Sequence, residues 1–375
     1  MLNLAALLAS GCSIFQDFGY EPEDTSVVLP PLTERPRLDP ISRNYFILES
    51  PDQSVVGEPQ IVFSRDTDTF PDLAREYGLG YDELIEANPA IDPWLPGTNT
   101  PILLPTQYVL PDVPRQGIVL NIASKRLFYF PKVNEGEPVQ VLTYPIGIGR
   151  VGWETPVGEA KVVAKQTDPT WYVPESVLKE HAEDGDPLPA VVPPGPDNPL
   201  GRHSMRLDRP GYLVHGTNMP WGVGMRVSHG CVRLYPENVE VLYSLVSVGE
   251  KVNIINEPYL AGWRDGELFF ESHRPLEDDA VSPEQHLQAI FEKFRAESGA
   301  FTEQTERDHA EAIASESLGV PVRVLTGDTQ EVFERARIVK NTVTIDPDAP
   351  TLAEVRELLD EADDELAKPE TVSSD

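Results

Sequence analysis

Apolar positions follow two different periods along this chain, and the changes between them divide it. Ile61-Val62-Phe63 is a short apolar run that predicts a strand, and Thr69 to Tyr77 predicts a capped helix ending near Gly78. Tyr81 to Asn88 predicts a second helix stopped by Pro89, and Ile102-Leu103-Leu104 a closing strand. Between residues 117 and 256 the pattern becomes strand-length runs separated by turn residues: 118–122, 126–130, 139–144, 159–164, 211–215 and 251–255. One helix is expected there, Pro236 to Val246, with Val239, Leu242, Tyr243 and Val246 on one face. Many strands with few helices predict a mainly β, sandwich-like domain. Beyond Pro258 helical spacing returns at Leu287, Ile290, Phe291 and Phe294, and again at Leu352, Val355, Leu358 and Leu359, with strands expected over 320–325 and 336–345. The parts in order are an apolar segment 1–12, a linker 13–58, a βααβ module 59–106, a β domain 117–256 and an α+β region 257–375 of unknown role.

Composition alters this picture in four places. The chain has 375 residues and 37 prolines, and residues 13–58 combine proline and acidic residues without sustained periodicity, as a linker does. The formal net charge of −32 argues against nucleic acid as a partner, and the C-terminal region holds 29 acidic against 11 basic residues. Met1 to Gly11 is apolar but short of the roughly 20 residues a membrane-spanning helix needs. The polar, turn-laden stretch Asp184 to Pro199 reads either as a lid over a site or as a plain surface loop.

Only two cysteines are present, Cys12 and Cys231, so Cys231 has no obvious disulfide partner. It closes the run Ser228-His229-Gly230-Cys231, and His215 lies sixteen positions earlier at the end of an expected strand. A free thiol beside histidines suggests a nucleophile held ready as a thiolate. Gly230 leaves room for a substrate carbonyl, and the amides of Gly230 and Cys231 can point together at a developing oxyanion. A zinc site from His215, His229 and Cys231 is the alternative, although a fourth ligand at usual spacing is not evident. Acyl transfer at this thiol requires no cofactor and no metal. Trp153, Trp171, Tyr172 and Trp221 suit either a ligand groove or core packing, while His181, His203, His273, His286 and His309 lack such context and are expected at the surface.

Three resemblances attach to these residues. His215-Gly216-Thr217, the loop Trp221-Gly222-Val223-Gly224-Met225 and Ser228-His229-Gly230-Cys231-Val232-Arg233-Leu234 resemble the signature of the YkuD-type L,D-transpeptidases, and the likeness runs from about Ile118 through Thr155-Pro156-Val157-Gly158 to about Ile255. It implies a β-sandwich enzyme of the bacterial cell wall. Such an enzyme attacks the bond between diaminopimelate and the terminal D-alanine of a stem tetrapeptide, forms a thioester, and passes it to an acceptor amine. That amine belongs to another diaminopimelate, giving a 3→3 crosslink, or to the terminal lysine of an outer-membrane lipoprotein; water in its place gives an L,D-carboxypeptidase or a hydrolase that detaches the lipoprotein. By the same resemblance Cys231 is the nucleophile, His215 the proton acceptor and donor, and the Gly216 carbonyl the group that orients His215. His229 and Gly230 then shape the pocket and its oxyanion site, Ser228 bonds within the turn, Trp221 contacts substrate, and Arg233 either holds a substrate carboxylate or braces the loop.

Leu84-Ile85-Glu86-Ala87-Asn88-Pro89 and Leu104-Pro105 make the βααβ stretch resemble a LysM module, which implies binding of N-acetylglucosamine-containing glycan strands or, if degenerate, a spacer. Leu8-Ala9-Ser10-Gly11-Cys12 resembles the end of a bacterial lipoprotein signal peptide, implying export to the periplasm and a lipid anchor on Cys12. A glycan-binding scaffold in the envelope is the non-enzymatic alternative.

Overall fold

The computed structural model describes residues 31–344 apart from 42, 43, 51, 135 and 184; Cys12, the apolar segment before it and the helix expected near Leu352 lie outside the described residues. The chain divides into two units, residues 1–35 and 36–375. Within the first, Leu32–Glu34 forms a 3-10 turn. All that follows concerns the second.

Apolar runs in which every residue is buried, as in Gly117–Asn121 and Arg126–Phe130, require cover on both faces of a sheet. Alternate residues serve two cores. Ile118, Leu120, Leu127 and Tyr129 pack with Val239 and Leu242 of the helix Pro236–Leu245, while Val119, Phe128 and Phe130 pack with Val56, Tyr108 and Leu110 on the other side. The sheet between these cores has nine strands in the order Tyr45–Ile47, Gln140–Pro145, Arg126–Phe130, Gly117–Asn121, Lys251–Ile255, Gly158–Thr167, His203–Leu207, Leu213–His215, Val232–Arg233. Two of its neighbouring pairs are parallel: Gly117–Asn121 with Lys251–Ile255, and Leu213–His215 with Val232–Arg233.

Two expectations change here. The strands read as a sandwich-like β domain belong to one large nine-stranded sheet. The linker is shorter than its composition suggests, because Tyr45–Ile47 joins the sheet edge and Val55–Gly57 pairs with Gln107–Val109. Segments of three residues carry too little periodicity to be seen in sequence; the ladder they add to makes them strands.

The βααβ order is observed as Gln60–Phe63, Phe70–Glu76, Tyr81–Ala87 and Pro101–Leu104. Thr69 caps the first helix in a reciprocal pair with Asp72. Asn88 ends the second, donating to the carbonyls of Leu84 and Leu103 and accepting from Leu103 N–H, which fastens the helix to the closing strand. The C-terminal region does not stand apart. Its strand Arg337–Val339 adds in parallel to Gln60–Phe63, and its hairpin Tyr259–Arg264/Glu267–Ser272 buries Leu260 and Phe269 against Val55 and Val109.

His273, expected at the surface, is buried between Glu271 (2.7 Å) and Glu86 (3.3 Å). These carboxylates outweigh the effect of burial and raise its pKa to about 9. Nothing local in the sequence announces this, since Glu86 belongs to the βααβ module and arrives only with the tertiary fold.

Candidate active site

Strand register brings the cysteine and histidine together. Val214 pairs with Val232 and His215 with Arg233, so Cys231 emerges beside Leu213, two residues before His215, an offset of about 7 Å along the strand. Both side chains line a cavity of about 840 Å³, together with Ser228, His229 and Arg233. His215 is buried, and its Nδ1 lies 2.5 Å from the carbonyl oxygen of Gly216. A carbonyl only accepts, so Nδ1 carries the hydrogen and Nε2 keeps its lone pair.

The turn that carries Cys231 is held from below. Gly230 has φ +94°, and a Cβ there would meet Tyr212 Cε1 at 2.8 Å, so only glycine fits. Thr155 Oγ1 donates to the Gly230 carbonyl at 3.0 Å and accepts from Gly149 N–H at 3.1 Å. In a trans peptide this turns the Cys231 N–H away from Thr155. Ser228 Oγ donates to the Cys231 carbonyl at 2.6 Å, fixing the next peptide plane. The role of Thr155 was missed in the sequence, although its Thr-Pro-Val-Gly turn was noticed.

Electrostatics depart from the expected thiolate. Burial pushes the Cys231 thiol up, only partly offset by the Leu213 backbone and Arg233, and its Sγ lies 3.4 Å from the Gly211 carbonyl. Burial, then the Arg233 charge, lowers His215 to about 3 against the pull of Gly216. The resting pair is therefore thiol and neutral imidazole, since a cavity this enclosed disfavours any charge not directly paired. Arg233 itself is held below its usual value by burial, and its Nε is buried without a hydrogen-bond partner.

Trp153, Trp171 and Tyr172 line the cavity wall. Trp221 is not among the lining residues: it sits in the 3-10 turn Pro220–Gly222, which packs against the helix Phe70–Glu76. The next turn of chain meets the βααβ module with almost no clearance. A Cβ on Gly224 would fall 2.3 Å from Gly80 Cα, Tyr81 N–H donates to Val223 O, and Met225 packs in the module's core. Sequence reading also missed the helix Glu175–Glu183, whose Glu180 reaches His229 Nε2 at 2.5 Å and pairs with Arg150. Its nine residues carry no motif, so only spatial proximity reveals it. Among the described residues, no group of three His, Cys, Asp or Glu side chains is arranged to hold a metal ion.

The large sheet thus ends in two parallel strands, with His215 closing one and Cys231 immediately before the other. The family model of the YkuD L,D-transpeptidase catalytic domain matches residues 115–254. Probable L,D-transpeptidase YcfS of Escherichia coli (strain K12) is 37% identical over 291 residues, which is 76% of this chain and 89% of that protein. Probable L,D-transpeptidase YbiS of the same strain is 42% identical over 226 residues, 59% of this chain and 72% of that protein. Among solved structures, an L,D-transpeptidase from Mycobacterium smegmatis covers 38% of this chain and 58% of its own at 25% identity, with a TM-score of 0.28, too partial a likeness to bear on the argument. This chain belongs to the L,D-transpeptidase family.

Proposed function

We propose that this protein is a peptidoglycan L,D-transpeptidase working through a cysteine thioester. The observation that carries the reading is the Cys231–His215 pair at one cavity, with His215 Nδ1 committed to Gly216 O and Nε2 therefore free to take a proton. As Cys231 Sγ attacks the carbonyl carbon between diaminopimelate and D-alanine, its proton passes to Nε2 of His215. The tetrahedral oxyanion is met by the amides of the Gly230–Cys231 turn. Collapse breaks the C–N bond, His215 returns the proton to the departing D-alanine amine, and a thioester remains on Cys231. An acceptor amine then attacks, His215 relays its proton to the leaving thiolate, and the peptide bond is made.

A neutral resting pair suits this sequence, because charge appears only as substrate excludes water and the proton moves. Arg233, with a buried unpartnered Nε, is suited to a carboxylate of the stem peptide. The acceptor is another diaminopimelate or a lipoprotein lysine; an L,D-carboxypeptidase, in which water accepts, shares every earlier step. The βααβ module, read as LysM-like, serves glycan strands, and Cys12, read as lipidated, anchors the protein in the periplasm. The chain is incubated with disaccharide-tetrapeptide, and mass spectrometry follows D-alanine release, crosslinked dimer and an adduct on Cys231. Release of D-alanine without dimer, in the presence of acceptor, favours the hydrolytic reading. Cys231→Ala with undiminished activity sinks the mechanism.

A further inference from the structure

The helix Glu175–Glu183 and the segment after it roof the cavity, where Val177, His181, Asp186 and Leu188 join Cys231 and His215 in the lining. One carboxylate ties this roof to the floor. Glu180 Oε2 lies 2.5 Å from Nε2 of His229, while Oε1 pairs with the Arg150 guanidinium and accepts from Trp153 Nε1 at 3.3 Å. The Trp153 ring stands edge-on to the His229 ring, with centroids 4.8 Å apart. Arg150 and Trp153 come from the turn after Ile148–Gly149, and His229 from the motif itself, so three donors from two distant segments converge on one helix residue.

The donor inventory decides a proton position. Arg150 also approaches Nε2 of His229, at 3.2 Å, but a guanidinium only donates. The carboxylate, the closer partner, is the acceptor, so Nε2 carries hydrogen; burial lowers the pKa of the ring, and the neutral imidazole keeps its lone pair on Nδ1. His229 is one residue from Gly230 and two from Cys231, and its main chain runs straight into the turn in which Gly230 takes φ +94°. Holding the His229 ring therefore steadies the main chain that aims the Cys231 amide.

We propose that Glu180 is a positioning residue for acyl transfer: its carboxylate fixes His229 as the Nε2–H tautomer beside Cys231 and latches the roof helix over the cavity. This rests on the reading of Cys231 and His215 as the reacting pair. His229 and Arg150 hold the Glu180 carboxyl below its ordinary range despite burial, so the latch is closed at neutral pH and opens as acid neutralises the carboxylate.

The test compares the full chain with Glu180→Gln, which keeps the shape and removes the charge. Turnover of disaccharide-tetrapeptide and thermal melting are measured from about pH 3 to pH 8, reaching below the ordinary carboxylate value because Glu180 is held beneath it, and alkylation of Cys231 by iodoacetamide from about pH 8 to pH 10, where a raised thiol ionises. The variant is expected to melt close to the parent and to lose about tenfold to a hundredfold in kcat/KM, the effect of one charge-assisted hydrogen bond. Its Cys231 is expected to alkylate faster than the parent's, because the roof is released, and its turnover to lack the parent's acid limb. A merely structural residue would slow turnover with melting and leave the pH profile in shape. If Glu180→Gln does not fold, nitrogen NMR of histidine-labelled parent decides: a His229 protonated on Nδ1 rather than Nε2 overturns the proposal. Parent-like kinetics and pH profile in Glu180→Gln overturn it too. If Cys231→Ala remains active, the thioester reading itself has failed, which is a different result.

Discussion

Arg126 is the largest fully buried side chain among the described residues, and the carboxylate it pairs with, Glu83, comes from the βααβ module. Their contacts are bidentate at 2.6 and 2.7 Å, and Glu83 also accepts from Gly80 N–H at 2.6 Å. Arg126 further donates to Gly78 O and Thr143 Oγ1, both at 3.3 Å, and stacks over Tyr108 at 4.2 Å. Glu83→Gln turns an amide toward that guanidinium and leaves a buried charge without a counter-ion. Side-chain exposures of 1% for Arg126 and 4% for Glu83 leave water no way to screen it. Breaking such a pair costs about 3–5 kcal/mol, equivalent in a folded unit of this length to a melting-temperature fall of about 4–7 °C. Because the Gly78–Gly80 turn abuts Gly224, loosening it also unseats the loop before the catalytic motif, and turnover is expected to fall with stability. The double variant Glu83→Leu/Arg126→Met removes both charges and recovers part of the loss; the rest is the unsatisfied Gly80 N–H, about 1–3 kcal/mol. Circular dichroism melts of the parent, Glu83→Gln, Glu83→Leu, Arg126→Met and the double variant, with tetrapeptide turnover at 25 °C, make the comparison. A shift for Glu83→Gln of under about 2 °C, or a double variant worse than the sum of the singles, refutes the reasoning.

Four further outcomes are expected. Alkylation of Cys231 rises only at pH values above those of an ordinary thiol, with no inflection near the imidazole range, because His215 stays neutral down to about pH 3; a reactive plateau at pH 6–7 would show a preformed ion pair. Thr155→Val strands the Gly230 carbonyl and the Gly149 amide, costing about 1–3 kcal/mol for each group and lowering kcat more than it raises KM; the steady-state split checks this. Gly230→Ala adds backbone strain of about 1–3 kcal/mol and a contact with Tyr212, and is expected to cut turnover at least tenfold; activity near that of the parent contradicts the turn geometry. His273 has a raised folded pKa, so its contribution is complete below its unfolded value of about 6.5 and is lost as pH rises through about 9, leaving Glu86 and Glu271 unscreened; melting temperature should drop between about pH 6.5 and pH 9, and less in His273→Gln.

The C-terminal third gains a physical role from its contacts. Arg226, at the start of the strand that leads into Ser228, is gripped by both oxygens of Asp278 at 2.9 and 2.8 Å, while Arg337–Val339 completes the module's sheet. The region thus braces the module and the strand leading to Cys231 together.

What the sequence determined by itself is what depends on neighbours along the chain. The βααβ order was legible in caps, a proline stop and apolar runs. Six strands of the large sheet and the helix face Val239–Leu242–Val246 followed from periodicity, because burial on a fixed side imposes a fixed spacing. The Cys231 motif and His215 were legible because glycines and a lone thiol at tight spacing answer a local chemical need. Tertiary structure alone decided the rest. Glu180 reaches His229 across 49 positions, Glu83 reaches Arg126 across 43, and Glu86 reaches His273 across 187. No local pattern encodes such pairs, since each side chain is an ordinary surface residue until the fold removes it from water. The protonation state of the cysteine–histidine pair belongs to the same class: residue types suggested a thiolate, and only the enclosure of the cavity makes the neutral pair the resting form.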